Sequence, residues 1–476
     1  MATLPTHRVL GANSDIRLAV IGTGSKGTDH LTHFSKVPGT RMVGVCDPDP
    51  AQMTAAVRRL EEFLGRDNRK PDPGLQKHQD FRRILDDKSV DAVIIAAPNH
   101  WHSLMTILAC QAGKDVYVEK PVSHCIWEGR KAVEAARKYN RIVQSGTQQR
   151  SDPALIEAAA EIRQGTLGKV QWIHGLWYRH REPIGKVKGP TAVPQSIDYD
   201  LWCGPGPKTP LMRAKLHYDW HWVWAYGNGE MGNIVTHNAD DLRHLLGMKD
   251  VPTRVMSVGG RFIWNDDGET PNTHFCYYDY PVPLILETRD LPYDKDNRSR
   301  RGVSYYRRFG QNVKFTNIVK CEHGFYNVTR GGGFAFDNAG KRIRQFKGDG
   351  GAGHAANFIQ AVRSRKVSDL RADIVEGHQA SVMVHQANIA YRVGRAATEE
   401  RIRDQVKTQE EALETLNQMV THLRDNEVDL TKNQAILSPW LTYDPATERF
   451  VGDHANQANQ LVKDAYRAPF VVPEIV

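Results

Sequence analysis

The sequence contains little cysteine, and its cysteines are not grouped along the chain. Its 476 residues include six of them: Cys46, Cys110, Cys125, Cys203, Cys276 and Cys321. Such scattered cysteines exclude a disulfide-rich scaffold and a zinc-finger spacing. We therefore expect buried thiols that form no disulfides.

Long apolar runs are also absent. The longest, "AVIIAAP" at residues 92–98, is long enough for a strand but far short of the roughly 18 residues that a membrane helix requires. The stretch "MATLPTHRVLGANSD" at the start has no apolar core of the kind found in a secretory signal. We expect no membrane partner and, for the sequence as given, a cytoplasmic protein.

The basic residues are spread along the chain. The net charge of +8 raises the question of a nucleic-acid partner. The one dense basic cluster consists of Arg298, Arg300, Arg301, Arg307 and Arg308. A charge run is usually a solvated surface, and an anion-binding loop is the alternative. Because the other basic residues are dispersed, we predict no nucleic-acid partner.

Residues 1–150 alternate between short apolar runs and segments of helical periodicity. The runs "IRLAVIG", "RMVGVCD", "DAVIIAAP", "DVYVEK" and "RIVQSG" predict strands. Two of the intervening helices are expected to end at Gly65 and Gly113. This alternation is typical of a doubly wound α/β fold, with a parallel sheet covered by helices on both faces. We predict a Rossmann domain here.

The pattern changes at about Ser151. A helix with Pro153 near its start and Gly165 at its end is followed by strand-like stretches such as "KVQWIHGLWY" and "THFCYYDY". We predict that residues 151–400 form an α+β domain with a large, mostly antiparallel open sheet. Residues 401–476 are predicted to form a helix and an irregular extended arm.

A glycine motif lies between the first strand and the first helix. "VIGTGSKG" places Gly22, Gly24 and Gly27 in the G-x-G-x-x-G spacing and in its required context. The first glycine permits a tight turn, the second lets a pyrophosphate approach the backbone, and the third lets the helix pack on the strand. The free N–H groups at the helix start then face the phosphates.

The second strand ends in an acidic residue, Asp47, twenty residues after Gly27. Its carboxylate suits the ribose hydroxyls and would repel a 2′-phosphate, so we predict NAD as the cofactor. "AAPNHWH" and "EKP" end two further strands at the same crevice. The predicted cofactor-binding residues are Gly22, Gly24, Ser25, Lys26, Gly27, Asp47, Pro98, Asn99, His102, Glu119, Lys120 and Gln148.

The order of these motifs resembles one family. "IRLAVIGTGSKG", "AAPNHWH", "EKP", "SGTQQR" and "GNGEMGNIVTHNADDLRHLLG" are similar to the Gfo/Idh/MocA oxidoreductases over nearly all the chain. The resemblance implies a Rossmann domain, a second domain with a large open sheet, a nicotinamide cofactor and sugar or inositol substrates. It also implies a homo-oligomer, a dimer or a tetramer, that meets through the sheet.

The resemblance also assigns catalytic residues. The family's EKP lysine falls on Lys120, and its Asp-x-x-x-His pair falls on Asn233 and His237. Asn233 departs from the pattern, and an amide orients a hydroxyl but takes up no proton. We predict Lys120, His237 and Asn233 as catalytic residues, with His237 or Lys120 carrying the proton. A further family aspartate falls on Asp240, predicted to bind substrate.

The likeness is strongest to a subgroup from sugar-degrading bacteria. Its members often carry a twin-arginine export signal just ahead of the position of "RVLGAN". This implies a periplasmic location if such a signal has been trimmed.

The stretch "HYDWHWVW" is rich in histidine and tryptophan. His217 and His221 are four residues apart, which suits a metal on a helix. The alternating tryptophans indicate an extended segment instead, so we predict no metal. Core packing and a sugar-binding wall stay open as alternatives. The predicted substrate-binding residues are His217, Asp219, Trp220, His221, Trp222 and Asp240.

These residues predict an NAD(H)-dependent oxidoreductase. Hydride would pass between nicotinamide and a secondary alcohol or ketone of a sugar, glycoside or inositol. One alternative is an NAD-dependent glycoside hydrolase that oxidises, eliminates, adds water and reduces again with recycled cofactor. The other is a non-catalytic sugar- or nucleotide-binding protein, because fold alone does not give function.

Overall fold

The computed structural model describes residues 15–296, 315–432 and 434–476. The arginine cluster at residues 298–308 lies outside them. All six cysteines are buried and free of disulfides, as predicted. Within the described ranges, none of the helices combines the length and the apolar character that a membrane crossing requires.

A six-stranded parallel sheet forms the first part of the chain. Its strands are β1 (Ile16–Ile21), β2 (Thr40–Cys46), β3 (Gln76–His78), β4 (Ala92–Ile95), β5 (Asp115–Val118) and β6 (Val143–Ser145). They lie in the order β3-β2-β1-β4-β5-β6. The order reverses between β1 and β4, which is where doubly wound sheets open a crevice at their carboxyl ends. This confirms the predicted Rossmann fold.

Helices connect these strands and cover both faces of the sheet. They are α1 (Ser25–Ser35), α2 (Pro50–Gly65), α3 (Phe81–Asp86), α4 (Asn99–Gln111) and α5 (Ile126–Lys138). Helix α2 begins where it does because Asp49 accepts a hydrogen bond from the backbone N–H of Ala51 and Pro50 occupies the first turn. The apolar strands between the two helical layers form a buried core, as parallel sheets require.

A second, larger sheet follows, with twelve strands in the described residues. They are β7 (Val170–Tyr178), β8 (Arg254–Gly260), β9 (Thr273–Asp279), β10 (Leu284–Arg289), β11 (Phe315–Cys321), β12 (Gly324–Thr329), β13 (Gly332–Asp337), β14 (Arg342–Lys347), β15 (Arg395–Ala397), β16 (Ala435–Leu437), β17 (Leu441–Asp444) and β18 (Arg449–Val451). The main path is β14-β13-β12-β11-β7-β10-β9-β8-β16-β15, with β17 paired to both β8 and β18. Only β7 and β10 pair in parallel among these strands, so the mostly antiparallel sheet is as predicted.

The helices of this second part are α6 (Pro153–Gln164), α7 (Tyr199–Cys203), α8 (Thr236–Leu246), α9 (His354–Ser364), α10 (Ile374–Val393), α11 (Glu399–Val406), α12 (Glu410–Asp425) and α13 (Ala455–Asn459). Helix α10 packs against α8 and β8 of the second part and also against α5 and β6 of the first part. Its apolar residues share one core with both parts of the chain. Helix α10 therefore fixes how α8 stands relative to the parallel sheet.

Helix α2 ends at Gly65, as predicted, but Gly65 is its last helical residue and Arg66 after it is right-handed, whereas Gly113 and Gly165 have positive φ. Two local predictions are wrong. The segment Asp219–Trp222 is a 3-10 helix rather than an extended strand, and in it the rings of Trp220 and His221 stack on each other. The tail is not wholly irregular, because β16 and β17 pair with β8.

Candidate active site

One large cavity lies at the carboxyl ends of β1, β2, β4 and β5, beneath α8 of the second part. Its volume is about 580 Å³, within the usual range for small-molecule sites. Of the predicted cofactor and catalytic residues, Gly22, Gly24, Ser25, Lys26, Asp47, Pro98, Asn99, His102, Glu119, Lys120, Gln148, Asn233 and His237 line it. The structure thus brings residues from both parts of the chain into one space.

The glycine turn has the shape that a dinucleotide requires. Gly22 has φ of +85°, and an added Cβ would lie 2.7 Å from the backbone of Ala96. A Cβ on Gly27 would collide with the Gly22 carbonyl oxygen at 1.8 Å, so this glycine serves close helix packing and does not itself line the cavity. Gly24, in contrast, has no atom within 4 Å of such a Cβ. The turn therefore packs closely at Gly22 and Gly27 and leaves open space at Gly24, which fits a pyrophosphate.

Asp47 lies against this turn at the end of β2. Its carboxylate accepts hydrogen bonds from the backbone N–H groups of Thr23, at 2.8 Å, and Asp49, at 3.0 Å. Burial raises the pKa of Asp47, although these hydrogen bonds act in the opposite direction. Because the side chain also lines the cavity, its position fits the hydroxyls of an adenosine ribose.

The loop after β5 carries Glu119 and Lys120. Glu119 accepts hydrogen bonds from Nε2 of His30, at 2.8 Å, and from Gln148, at 3.0 Å. Burial alone would raise the pKa of Glu119, but the His30 hydrogen bond and the charges of Lys26 and Lys120 outweigh it and lower that pKa strongly. Glu119 is therefore an ionised carboxylate that holds one wall of the cavity.

Lys120 points across the cavity to the second part of the chain. Its amine donates a hydrogen bond to the backbone carbonyl oxygen of Asn233. Burial lowers the pKa of Lys120, while the carboxylates of Glu119 and Glu230 act to raise it. The amine is thus placed beside the other predicted catalytic residues with its charge only partly compensated.

His237 lies on the first turn of α8, directly after a π-helix, Met231–Val235. Burial, followed by the charge of Lys120, lowers the pKa of His237 well below its usual value. Its Nδ1 atom is buried and has no hydrogen-bond partner among the described residues. A neutral imidazole beside a cationic amine is suited to accept a proton.

Three residues that bear on the site were not predicted: Tyr218 and Arg330, which line the cavity, and Glu230 behind it. Glu230 is fully buried and accepts a hydrogen bond from Asn233 Nδ2 at 2.8 Å. Its spacing of three residues from Asn233 is one helical turn, and that spacing was the signal available in the sequence.

The predicted substrate residues divide into two groups. His217, Trp220 and His221 line the cavity, with the ring of Trp220 stacked on His221 at 3.7 Å between centroids. His217 bonds to Asp49 at 2.9 Å, so it stands beside the Asp47 loop.

The other three predicted substrate residues, Asp219, Trp222 and Asp240, are buried outside the cavity lining. The Asp240 carboxylate is fully buried and accepts hydrogen bonds from Nε of Arg150 at 2.8 Å. The Arg181 guanidinium lies over the Trp222 ring, 5.8 Å from its centroid. These three residues therefore lie outside the cavity lining, and their assignment to substrate binding stays a prediction.

Among the described residues, one group of potential metal ligands is close enough to share an ion. Cys125, Glu128 and Asp464 have ligand atoms within 4.8 Å of one another. His217 and His221 are not in this group. His217 instead bonds to Asp49, and His221 bonds to the Tyr218 carbonyl oxygen.

A doubly wound sheet with this glycine turn at its switch point defines a dinucleotide-binding α/β protein. Residues 16–147 match a family model described as an oxidoreductase family with an NAD-binding Rossmann fold, and residues 170–286 match the C-terminal α/β domain of the same family. The chain belongs to the Gfo/Idh/MocA oxidoreductase family, as its motifs predicted. The prediction of NAD as cofactor agrees with this description.

Similar proteins include sugar and inositol enzymes. The scyllo-inositol 2-dehydrogenase (NAD(+)) of Bacillus subtilis is 33% identical over 192 residues, which are 39% of this chain and 52% of that protein. The glycosyl hydrolase family 109 protein 2 of a Shewanella species is 28% identical over 176 residues, 35% of this chain and 37% of that protein. The chain thus spans about half the length of the inositol dehydrogenases it matches.

Levoglucosan dehydrogenase, solved in complex with NADH and levoglucosan, has a similar structure. The TM-score is 0.56 at 18% identity, and the match covers 79% of this chain and 96% of that chain. At this identity the likeness concerns the fold.

Proposed function

We propose that the protein is an NAD-dependent oxidoreductase acting on a secondary alcohol or ketone of a carbohydrate or cyclitol. One observation carries the proposal: Lys120, Asn233 and His237 line the same cavity as the glycine turn and Asp47. A site with these groups holds both a dinucleotide and a proton-transfer pair. The inositol dehydrogenases and levoglucosan dehydrogenase among the similar proteins support the substrate class.

NAD, bound at the glycine turn, supplies hydride transfer. The Lys120 ammonium donates a hydrogen bond to the reacting oxygen and stabilises its developing negative charge. Neutral His237 accepts the hydroxyl proton. Asn233 holds a neighbouring hydroxyl, and the stacked Trp220 and His221 rings provide a flat surface for the apolar face of a ring.

A second candidate, an NAD-dependent glycoside hydrolase with recycled cofactor, is favoured by the likeness to the glycosyl hydrolase family 109 protein. It needs the same residues, because the first step would again be an oxidation beside Lys120 and His237.

One experiment separates the candidates. The purified protein is incubated with NAD+ and a panel of free sugars, inositols and nitrophenyl glycosides, and absorbance is followed for NADH and for nitrophenol. Net NADH is expected from a free sugar or inositol. Nitrophenol without net NADH would favour the hydrolase, and tight NAD and sugar binding with neither product would favour a non-catalytic binding protein.

We also propose that copies of the chain associate through the second sheet, because strands β14 and β15 at its ends present unpaired backbone groups in the described structure. Light scattering at several concentrations tests for a dimer or a tetramer, and a monomer at every concentration would contradict this proposal.

The cytoplasmic and periplasmic locations both stay predictions.

A further inference from the structure

The Glu230 carboxylate is an ionic group that the proposed reaction has not used. It is fully buried, and one oxygen accepts a hydrogen bond from Nε of Arg181 while the other accepts from Asn233 Nδ2 at 2.8 Å. Glu230 does not line the cavity, whereas Asn233 does. Any effect of Glu230 on a substrate therefore passes through Asn233 or through the electrostatic field.

The hydrogen bond to Glu230 fixes which way the Asn233 amide points. An ionised carboxylate only accepts hydrogen bonds, so the Asn233 nitrogen must face Glu230. The Asn233 Oδ1 atom is then the part of the amide left to accept a hydrogen bond in the cavity. A neutral partner at position 230 would allow either orientation.

Glu230 forms an ion pair with Arg181. Its neighbour Asp290 is also fully buried, and burial followed by the charge of Glu230 raises the pKa of Asp290 well above its usual value. Arg181 is therefore the cationic partner of Glu230, and the raised pKa of Asp290 favours the neutral form of that second carboxyl group.

The charge of Glu230 acts on the Lys120 amine, which itself contacts the backbone of Asn233. Burial lowers the pKa of Lys120, and Glu230 opposes that effect. The other titratable and charged groups that interact with Lys120 are Glu119, Lys26, Arg181, His102, His221 and His237. Glu119 and Glu230 are the two carboxylates in this set, one from each part of the chain.

We propose that Glu230 is a positioning residue of the candidate active site: its carboxylate holds the Asn233 amide with Oδ1 as acceptor for a substrate hydroxyl, and its charge stabilises the Lys120 ammonium. This rests on the proposed function, since it assigns roles within that site. It also gives a physical reason for an amide at position 233. An aspartate there would place a second carboxylate against Glu230, and two such groups in contact cannot both ionise.

The test moves the carboxylate from position 230 to position 233. E230Q removes it, E230Q/N233D restores one carboxylate within the same hydrogen-bonded pair, and E287Q is a matched control because Glu287 is also buried, bonded to an arginine and outside the cavity lining. The readout is the pH dependence of acetylation of the Lys120 amine, followed by mass spectrometry with NAD binding checked for each variant.

E230Q is expected to lower the midpoint of Lys120 labelling by about one pH unit. The double variant should return it to near the wild-type value, and E287Q should leave it unchanged. An unchanged midpoint in E230Q, or no recovery in the double variant, would overturn the proposal. This readout needs no turnover, so a shifted midpoint in a protein that oxidises no sugar would contradict the proposed function alone.

Kinetics test the amide orientation. The basic limb of kcat/KM is expected to move to lower pH in E230Q, and N233D alone should be less active than the double variant. E230D keeps the charge but is too short to hold both Arg181 and Asn233. E230D replaces E230Q if that variant does not fold. In E230D we expect KM to rise about tenfold while the midpoint of Lys120 labelling stays unchanged. An unaltered KM in E230D would contradict the role assigned to Asn233.

Discussion

The Lys120 amine donates a hydrogen bond to the backbone carbonyl oxygen of Asn233, although 113 residues separate the two. Lys120 follows β5 of the parallel sheet, and Asn233 lies on the π-helix ahead of α8. One contact therefore joins the cofactor-side wall of the cavity to the wall that carries His237. The chemistry of the site depends on how the two parts of the chain pack.

Replacing Lys120 by alanine should lower turnover by about 10²- to 10⁴-fold, because the reacting oxygen loses the amine that stabilises its charge. NAD affinity should stay within a few fold of wild type, measured by tryptophan fluorescence. K131A removes a helix-surface lysine that pairs with Glu134 and should leave turnover unaltered. Near wild-type turnover in K120A would remove Lys120 from the mechanism.

His237 should show no titration near pH 6.5. Burial and the charge of Lys120 lower the pKa of His237, so the imidazole stays neutral and able to accept a proton as pH falls from 8 to 6. The acidic side of the kcat/KM profile should therefore be flat between pH 6 and pH 8. H237N should reduce kcat by about 10²- to 10⁴-fold, with H323N as the exposed-histidine control. An acid limb near pH 6.5 that vanishes in H237N would contradict this.

Two glycine substitutions should separate folding from cofactor binding. G22A forces a Cβ to 2.7 Å from the Ala96 backbone at φ of +85° and should destabilise the protein by about 2 kcal/mol. G24A meets no atom within 4 Å and should unfold at the same urea concentration as wild type, yet bind NAD about tenfold more weakly. Wild-type NAD affinity in G24A would place the pyrophosphate elsewhere.

Glu448 links the tail to the first part of the chain. It accepts hydrogen bonds from Nε2 of His378, at 2.8 Å, and from Arg130. Burial would raise the pKa of Glu448, but these partners outweigh it and lower the pKa to about 2. A depressed carboxyl pKa stabilises the fold above the unfolded value and loses that contribution as pH falls towards the folded value.

E448Q should therefore be less stable than wild type by about 2 kcal/mol at pH 7. The gap in urea unfolding free energy should hold down to about pH 4.5 and shrink below it. E427Q is the control, because Glu427 is exposed and shares the left-handed backbone conformation, with φ of 61° against 54° for Glu448. A gap that is independent of pH would mean that packing rather than charge holds Glu448.

The parallel sheet and the glycine turn could be predicted from the sequence because each depends on local chemistry. Apolar runs of strand length alternate with helical periods, and Gly22 and Gly27 stand where backbone geometry admits no side chain. The 3-10 helix at Asp219–Trp222 could not be predicted, since stacking between Trp220 and His221 is absent from any residue pattern.

The placement of Asp240 illustrates the same limit. The family resemblance implied that Asp240 binds substrate, but Arg150, 90 residues earlier in the chain, takes its carboxylate into a buried ion pair. Glu230 was not predicted, because a sequence does not show that Arg181 lies beside it.

By itself, the sequence determined the dinucleotide-binding half of this protein, because glycines in a strand–turn–helix impose their geometry through nearest neighbours. Only the tertiary structure decided that Glu119 and Glu230 both lie near the Lys120 amine and that the Asn233 amide bonds to Glu230. Those relations arise where α10 packs α8 against both sheets, and such packing acts between residues that are far apart in the chain.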